Sequence, residues 1–295
     1  LGFSALTRLL ALTVLMMFLS LRGRAQSLPP ELRCQNQVAS QVRVLTYNIL
    51  TSDNVFSTGP WALRLPRIAQ LIHAQIPDLF GVQEALPSMM DGLSAELPEY
   101  ASTGVGREDG HRQGEFSAIF YRKDRLELLQ SETFWLSETP HIPGKIGWDA
   151  RCPRIVTWAL FRDRRRGKVF YAFNTHFDHI GQKARENSAR LLAAATRELS
   201  RGRPAVVMGD FNAAEDSPVH RLFLKESGYV DAITRVKNEG PRWTFSFYGL
   251  AKSKIDFIFV DPAVRVCRHA ILPENPFSLI QRSDHLPVTA LLEFP

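Results

Sequence analysis

Cysteine is scarce in this sequence: Cys34, Cys152 and Cys267 are the only three in 295 residues. None lies close enough to another for a zinc site or a redox pair. The odd count excludes a fully paired set within one chain and leaves room for one disulfide, whose partners the sequence does not name. No small residues precede Cys34 in the manner of a lipidation site. Repeats and low-complexity tracts are absent, and no Pro/Gly/Ser-rich linker divides residues 38–295, which argues for one domain over that span. No apolar run is long enough for a comfortable membrane span.

The longest apolar run, Leu9 to Leu19, follows Arg8 and precedes Gly23-Arg24-Ala25. A basic residue, a short apolar stretch and small residues at both positions read by a signal peptidase describe an export signal cut after Ala25. The expected division is therefore 1–25 signal peptide, 26–39 lead and 40–295 globular domain, with the mature protein secreted or periplasmic. Arg8, Arg22 and Arg24 supply half of the formal charge of +6, leaving +3 on the mature chain. So mild a charge permits a polyanionic partner without demanding one. The densest basic run, Arg162 to Lys168, lies between two apolar segments and has the form of a solvated hairpin turn.

Beyond residue 40, short apolar runs rich in β-branched and aromatic residues predict strands at 42–49, 78–83, 116–121, 126–136, 155–161, 169–175, 205–208, 255–260 and 287–292. Two segments show helical spacing. Trp61 to Ala74 aligns Leu65, Ile68, Ala69 and Ile72, and Gln182 to Leu199 aligns Ala184, Ser188, Leu191, Leu192, Ala195 and Leu199. Consecutive strands in mid-chain with helices towards both flanks favour an α+β sandwich over a strictly alternating doubly wound sheet.

Polar clusters stand at the ends of six of these runs: Tyr47-Asn48, Gln83-Glu84, Asn174-Thr175-His176, Gly209-Asp210-Phe211-Asn212, Ile255-Asp256 and Ser283-Asp284-His285. A strand end on a rigid scaffold delivers a side chain to a cleft at a fixed position. Singly, each cluster has an ordinary explanation: a Gly-Asp-Phe-Asn segment is a turn, a glutamate caps a helix, a lone histidine is a hydrogen-bonded core residue.

In this order the clusters resemble the endonuclease/exonuclease/phosphatase superfamily, the DNase I-like group that includes the deadenylases and the inositol polyphosphate phosphatases. The likeness spans about residues 40–294. The segments Thr133 to Ser137, Gly147 to Ala150 and His176 to His179 look like a secreted bacterial branch related to the deadenylases. The resemblance implies a four-layer α/β/β/α sandwich of two packed, mainly antiparallel mixed sheets, and a metal-dependent phosphoric ester hydrolase of phosphodiesterase, nuclease or phosphatase type. It implies Glu84 as principal metal ligand, Asn48 beside it and Asp284 completing the metal or histidine environment. Hard oxygen ligands suit Mg²⁺ or Mn²⁺. His285 is implied as general base or phosphate contact with Asp256 fixing its tautomer, His176 as a donor oriented by Glu115, and Asp210 and Asn212 as positioning water and a phosphate oxygen. Arg154 is implied as a substrate-phosphate contact, and its planar fork suits that task; a surface ion pair is the competing assignment. Whether Asp210 or His285 takes the proton stays open.

Ala85 follows Glu84 where abasic-site endonucleases carry a lysine soon after their glutamate, which argues against base-excision repair. No exposed aromatic hairpin marks membrane engagement of the sphingomyelinase kind. The expectation is a monomer acting on a phosphoester, with nucleic acid, phospholipid and sugar phosphate all open as substrate. A catalytically silent binding protein of the same fold is the rival from another class.

Overall fold

Side-chain alternation along the central strands decides both where the core forms and where the polar residues emerge. The computed structural model describes Cys34 and residues 40–52, 59–247, 251–274 and 280–295. The expected signal segment and, Cys34 apart, the lead to residue 39 lie outside the described residues. Residues 39–295 form one compact unit. Its elements are β1 (Gln41–Asn48), α1 (Trp61–Gln75), β2 (Leu79–Gln83), α2 (Pro87–Glu96), β3 (Tyr100–Thr103), β4 (Ile119–Arg122), β5 (Leu126–Trp135), β6 (Ile155–Asp163), β7 (Val169–His176), α3 (Gln182–Ser200) and β8 (Ala205–Asp210). There follow α4 (Pro218–Ser227), β9 (Val230–Asp231), β10 (Asn238–Glu239), β11 (Phe245–Phe247), β12 (Ala251–Ser253), β13 (Asp256–Val260), β14 (Arg265–Ile271) and β15 (Val288–Glu293).

A seven-stranded sheet runs β10-β14-β15-β1-β2-β4-β3 and a six-stranded sheet runs β5-β6-β7-β8-β13-β9, with β11-β12 a separate ribbon. Both large sheets are mainly antiparallel, with β1 parallel to β2 and β10 parallel to β14 in one and β7 parallel to β8 in the other. Val42, Val44, Leu79, Phe170, Ala172, Val206, Met208, Ile258 and Val260 pack together between the sheets. The opposite face of the first sheet, through Leu45, Tyr47 and Phe80, carries α1 and α2. That of the second, through Phe173, Val207 and Phe257, carries α3 and α4. The expected α+β sandwich with helices outside is the observed architecture.

The inner faces change character along their length. β1 presents Val42 and Val44, then Thr46 and Asn48; β7 presents Phe170 and Ala172, then Asn174 and His176; β8 ends Val206, Met208, Asp210; β13 begins at Asp256. Because side chains alternate with a period of two, one register of each strand is apolar at one end and polar at the other. Pairing then aligns the polar ends: Asn48 opposite Gln83, His176 opposite Asp210, and Asp210 opposite Asp256.

Asn174 pins the two sheets just below this polar end. Its Nδ2 donates to Val82 O at 2.9 Å and Ala118 O at 2.8 Å, while its Oδ1 accepts from Gln83 Nε2 at 2.6 Å. The crossing requires glycine at 81, where a Cβ would lie 2.6 Å from Asn174 Cγ. With Asn174 fixed by three hydrogen bonds, Gly81→Ala is expected to destabilise the fold by about 1–3 kcal/mol, read as a lower urea midpoint; an unchanged midpoint contradicts the pinning role.

Several expectations need adjustment. The buried face of α3 is Ala184, Ser188, Ala189, Leu192, Ala193, Thr196 and Ser200, so the stripe is turned from the predicted one and Leu191, Ala195 and Leu199 are only partly covered. The strand predicted from residue 116 begins at Ile119. Strand β14 was not predicted, since Arg265, Cys267, Arg268 and His269 break its apolar pattern; a bulge between Val266 and Arg268 accompanies it. The basic run is a hairpin turn as expected, closed by Gly167 N–H donating to Asp163 O at 2.7 Å. Cys34 and Cys267 are disulfide-bonded and Cys152 is the free thiol.

Candidate active site

The polar strand ends meet in one cluster, linked by hydrogen bonds and one ion-pair contact. Asp256 Oδ2 and His285 Nδ1 are 2.8 Å apart. A carboxylate accepts, so Nδ1 carries the proton of that bond and Nε2 is the imidazole's outward nitrogen. Nε2 stands 3.8 Å from Asp210 Oδ2. Asn48 Nδ2 then donates both to Asp210 Oδ2 at 3.0 Å and to Glu84 Oε1 at 2.9 Å. Residues from five separate stretches of chain thus connect the Ser283 to His285 segment to Glu84.

Local backbone geometry serves these contacts. Leu50, Glu84 and Asn212 all hold positive φ, at 54°, 62° and 44°. Such conformations cost non-glycine residues about 1–3 kcal/mol each and gather at functional sites. Gly209, at φ 142°, brings the backbone against β7 so closely that a Cβ would sit 2.1 Å from Thr175 O. Ser283 Oγ donates to Asn48 O at 2.7 Å and accepts from His285 N–H at 3.1 Å, tying the C-terminal segment to β1. Thr244, which the sequence did not single out, accepts the Asp256 and Ile255 N–H groups on its hydroxyl, at 3.1 and 3.0 Å. Only its position next to β11 fits it for this, and a lone threonine carries no such signal.

Burial and charge set the protonation states. Burial alone disfavours a charged His285, but Asp256, Asp210 and Asp284 outweigh it and raise the pKa to about 10. Burial, then the neighbouring Asp256, raise Asp210 to about 7 against the opposing pull of His285. His176 is driven the other way, well below its ordinary value, by burial and then by Arg154 and Arg107. Asn212 Nδ2 donates to Phe177 O at 3.0 Å, which fixes the amide's orientation, and lies 3.0 Å from His176 Nε2. Nε2 of a neutral His176 is therefore an acceptor, and its proton resides on Nδ1.

The expected partnership of Glu115 with His176 needs correction. Glu115 is gripped by both terminal nitrogens of Arg107, and the contacts of His176 are Asn212 and Asp210. Gly106 to Glu115 form a tight loop, closed by Arg107 N–H donating to Glu115 O at 3.1 Å, and this carries the acid to the arginine. Asn48 and Asn212, expected beside metal and phosphate, spend their amide groups within the protein, on Glu84 and Asp210 and on His176 and Phe177.

Arg154 is buried, not a surface ion pair. Its Nε faces Asp178 Oδ2 at 3.4 Å and its Nη2 lies 2.8 Å from His179 Nδ1, while Nη1 is buried without a hydrogen-bond partner. An unpaired guanidinium donor is costly and suits an oxyanion. Asp178 stays ionised although burial opposes it, because the Gly181, Ile180 and Arg151 N–H groups bind it. The site accordingly has two sides, one with Glu84, Asp210, Asp256 and Asp284, the other with Arg107, Arg154, His176 and His179.

The acidic side fits a divalent cation. Ligand atoms of Asp210, Asp256 and His285 lie within 4.8 Å of one another, and Asp256 Oδ1 is buried with no hydrogen-bond partner. Carboxylate oxygens of this kind are the donors that Mg²⁺ and Mn²⁺ prefer.

Residues 45–285 match the Endonuclease/Exonuclease/phosphatase family. The fold is similar to that of an endonuclease/exonuclease/phosphatase from Bacteroides vulgatus, 41% identical, with a TM-score of 0.82 over 86% of this chain and 99% of that one. It is similar also to a mannosyl-6-phosphatase from Bacteroides thetaiotaomicron, 37% identical, with a TM-score of 0.79 over 86% of this chain and all of that one. The human Nocturnin catalytic domain, 22% identical over 87% of this chain and 95% of that one, shares the fold at a TM-score of 0.70. With the family match running from β1 to His285 and including Asn48, Glu84, His176, Asp210, Asp256 and His285, the protein belongs to the endonuclease/exonuclease/phosphatase family.

Proposed function

We propose that this protein is a divalent-metal-dependent hydrolase of phosphoesters that acts outside the cytoplasm. The coarser part, hydrolysis of phosphoesters, rests on family membership and on the phosphatase among its structural neighbours. The observation that carries the finer reading is the linkage of Asp256, His285, Asp210, Asn48 and Glu84 beside a buried, unpaired Arg154 Nη1. Glu84 and Asp284 are the residues that would hold the cation, with the Asp210 and Asp256 carboxylates beside them. When bound, a divalent ion neutralises phosphate charge and favours ionisation of water.

The chain's own groups divide the remaining work. His285, held as a cation by Asp256, donates from Nε2 to a phosphate oxygen and does not serve as base. Asp210, poised near neutrality, receives the proton of the attacking water. Arg154 Nη1 binds a second phosphate oxygen. Of the two roles left open for His285, phosphate contact is the one assigned, and only His176, expected as a donor, is reassigned: neutral and bonded to Asn212, it positions the Asp210-Asn212 turn.

Export is supported by the signal-like segment before Ala25 and by the disulfide state of Cys34 and Cys267, which suits an oxidising compartment. Among the described residues no helix is long and apolar enough to cross a membrane.

The substrate class proposed first is a sugar phosphate monoester, by likeness to the mannosyl-6-phosphatase and because a formal charge of +3 after signal removal gives little pull towards a nucleic acid. A panel of mannose 6-phosphate, other sugar phosphates, nucleotides, DNA, RNA and phospholipid, each with Mg²⁺ or Mn²⁺, tests this. Highest kcat/KM on a sugar phosphate is expected. Preference for DNA or RNA replaces it with a nuclease, and no turnover of any phosphoester leaves a silent binding protein.

A further inference from the structure

Arg64 is fully buried on the inward face of α1, where helical spacing predicts an apolar residue. Its guanidinium spends every nitrogen on backbone carbonyls. Nη1 donates to Ile49 O at 2.5 Å and Arg282 O at 3.1 Å, Nη2 to Leu50 O at 2.9 Å and Thr51 O at 3.2 Å, and Nε to Gly59 O at 3.1 Å. Among the described residues no carboxylate lies within salt-bridge distance; the charge is met by carbonyl dipoles and by the Trp61 ring, whose centroid is 5.3 Å away. A buried cation of this kind is costly unless fully hydrogen-bonded. Simple core filling would be served better by leucine.

Apart from Gly59 O, the carbonyls it collects belong to two segments that carry site residues. Ile49, Leu50 and Thr51 follow Asn48 directly. Thr51 N–H also donates to Glu84 Oε2 at 3.0 Å, and Leu50 carries a positive φ of 54°. Arg282 immediately precedes Ser283, Asp284 and His285. One guanidinium therefore ties a loop from the start of the domain to the loop at Arg282, 218 residues after Arg64 itself, and only the planar fork of arginine reaches all five acceptors.

We propose that Arg64 is a positioning residue that sets the spacing of Glu84 and Asp284 for the cation. This rests on the metal-dependent reading above. Lysine has a single donor centre and cannot span both loops, so Arg64→Lys keeps the charge and loses the tie.

Calorimetric titration of metal-stripped protein with Mn²⁺, paired with thermal unfolding in EDTA, tests the proposal. The expected result is a 10- to 100-fold weaker Mn²⁺ affinity, the usual cost of losing an outer-shell support, in a protein that remains folded. The double variant Arg64→Lys, Asp284→Asn should then bind Mn²⁺ no more weakly than the weaker single variant. Unchanged affinity in Arg64→Lys, or fully additive losses in the double variant, overturns the proposal. Arg64→Gln repeats the test if the lysine variant is insoluble, and loss of fold in both makes Arg64 a core residue and contradicts the proposal. If wild-type protein binds no Mn²⁺, the metal-dependent function fails; if wild type binds and the variant matches it, only the role of Arg64 fails.

Discussion

Asp210→Asn is expected to lower kcat by about 100- to 10,000-fold, the usual contribution of a positioned general base, while leaving the protein folded. Both halves follow from the same surroundings. Asp210 is buried at the end of β8 and accepts from Asn48 Nδ2 and from Asn212 N–H. Burial and Asp256 lift its pKa to about 7. A carboxyl whose folded pKa is raised favours the fold while protonated. That advantage is complete below its ordinary range and is lost as pH rises through about 7. At pH 8, without metal, the ionised Asp210 therefore weakens the fold; a neutral amide removes that charge, offset by an NH₂ group set against the donor of Asn48 or of Asn212. Activity runs the opposite way, since the base must be ionised. The wild-type rate should rise with pH up to about 7, sooner where a bound cation favours the ionised form, and fall towards about 10 as His285 loses its proton. Measurement of kcat against pH, with thermal unfolding at pH 8 in EDTA, separates this from structural damage. A variant that keeps its rate removes Asp210 from the role of base.

Glu84→Gln is expected to weaken Mn²⁺ binding by more than about 100-fold, beyond the 10- to 100-fold typical of residues one step removed from a metal. Glu84 sits in a backbone conformation that disfavours any side chain except glycine, at φ 62°, and its two oxygens are oriented by Asn48 Nδ2 and Thr51 N–H. The local strain has no packing purpose, as Glu84 is only partly buried. Glutamine keeps the size and one acceptor oxygen, but sets an NH₂ group against the donor of Asn48 or of Thr51 and loses the charge. Calorimetry on metal-stripped protein reads the change directly, whatever the substrate proves to be. Equal affinity in wild type and variant would remove Glu84 from the metal site.

Much of this arrangement was legible in the sequence because it is written at the ends of strands. A period of two places Asn48, Asp210 and Asp256 on the same inner faces as the valines and isoleucines behind them, and the β-rich runs mark those faces. The order of the clusters then pointed to the family. Pairings across the cleft were less visible. Glu115 was assigned to His176, but the compact loop beginning at Gly106 delivers it to Arg107, a choice made by loop geometry that no spacing rule records. Arg154 left a surface pair and a phosphate contact both open, and only its burial with a free Nη1 separates them. Arg64 was hidden for another reason. Set among apolar neighbours on α1, a single arginine has the appearance of the exposed edge of an amphipathic stripe, and its acceptors are backbone carbonyls, which leave no trace in sequence.

Phosphate release from the best substrate of the panel, by protein treated with EDTA and then resupplied with Mg²⁺, tests the central claim most directly, with Asp210→Asn assayed beside it. Release should stop on chelation, return with Mg²⁺ in the wild-type protein, and remain at least about 100-fold lower in Asp210→Asn. Hydrolysis that persists without metal, or that returns equally in both proteins, would contradict a metal-assisted site built on the polar ends of these strands.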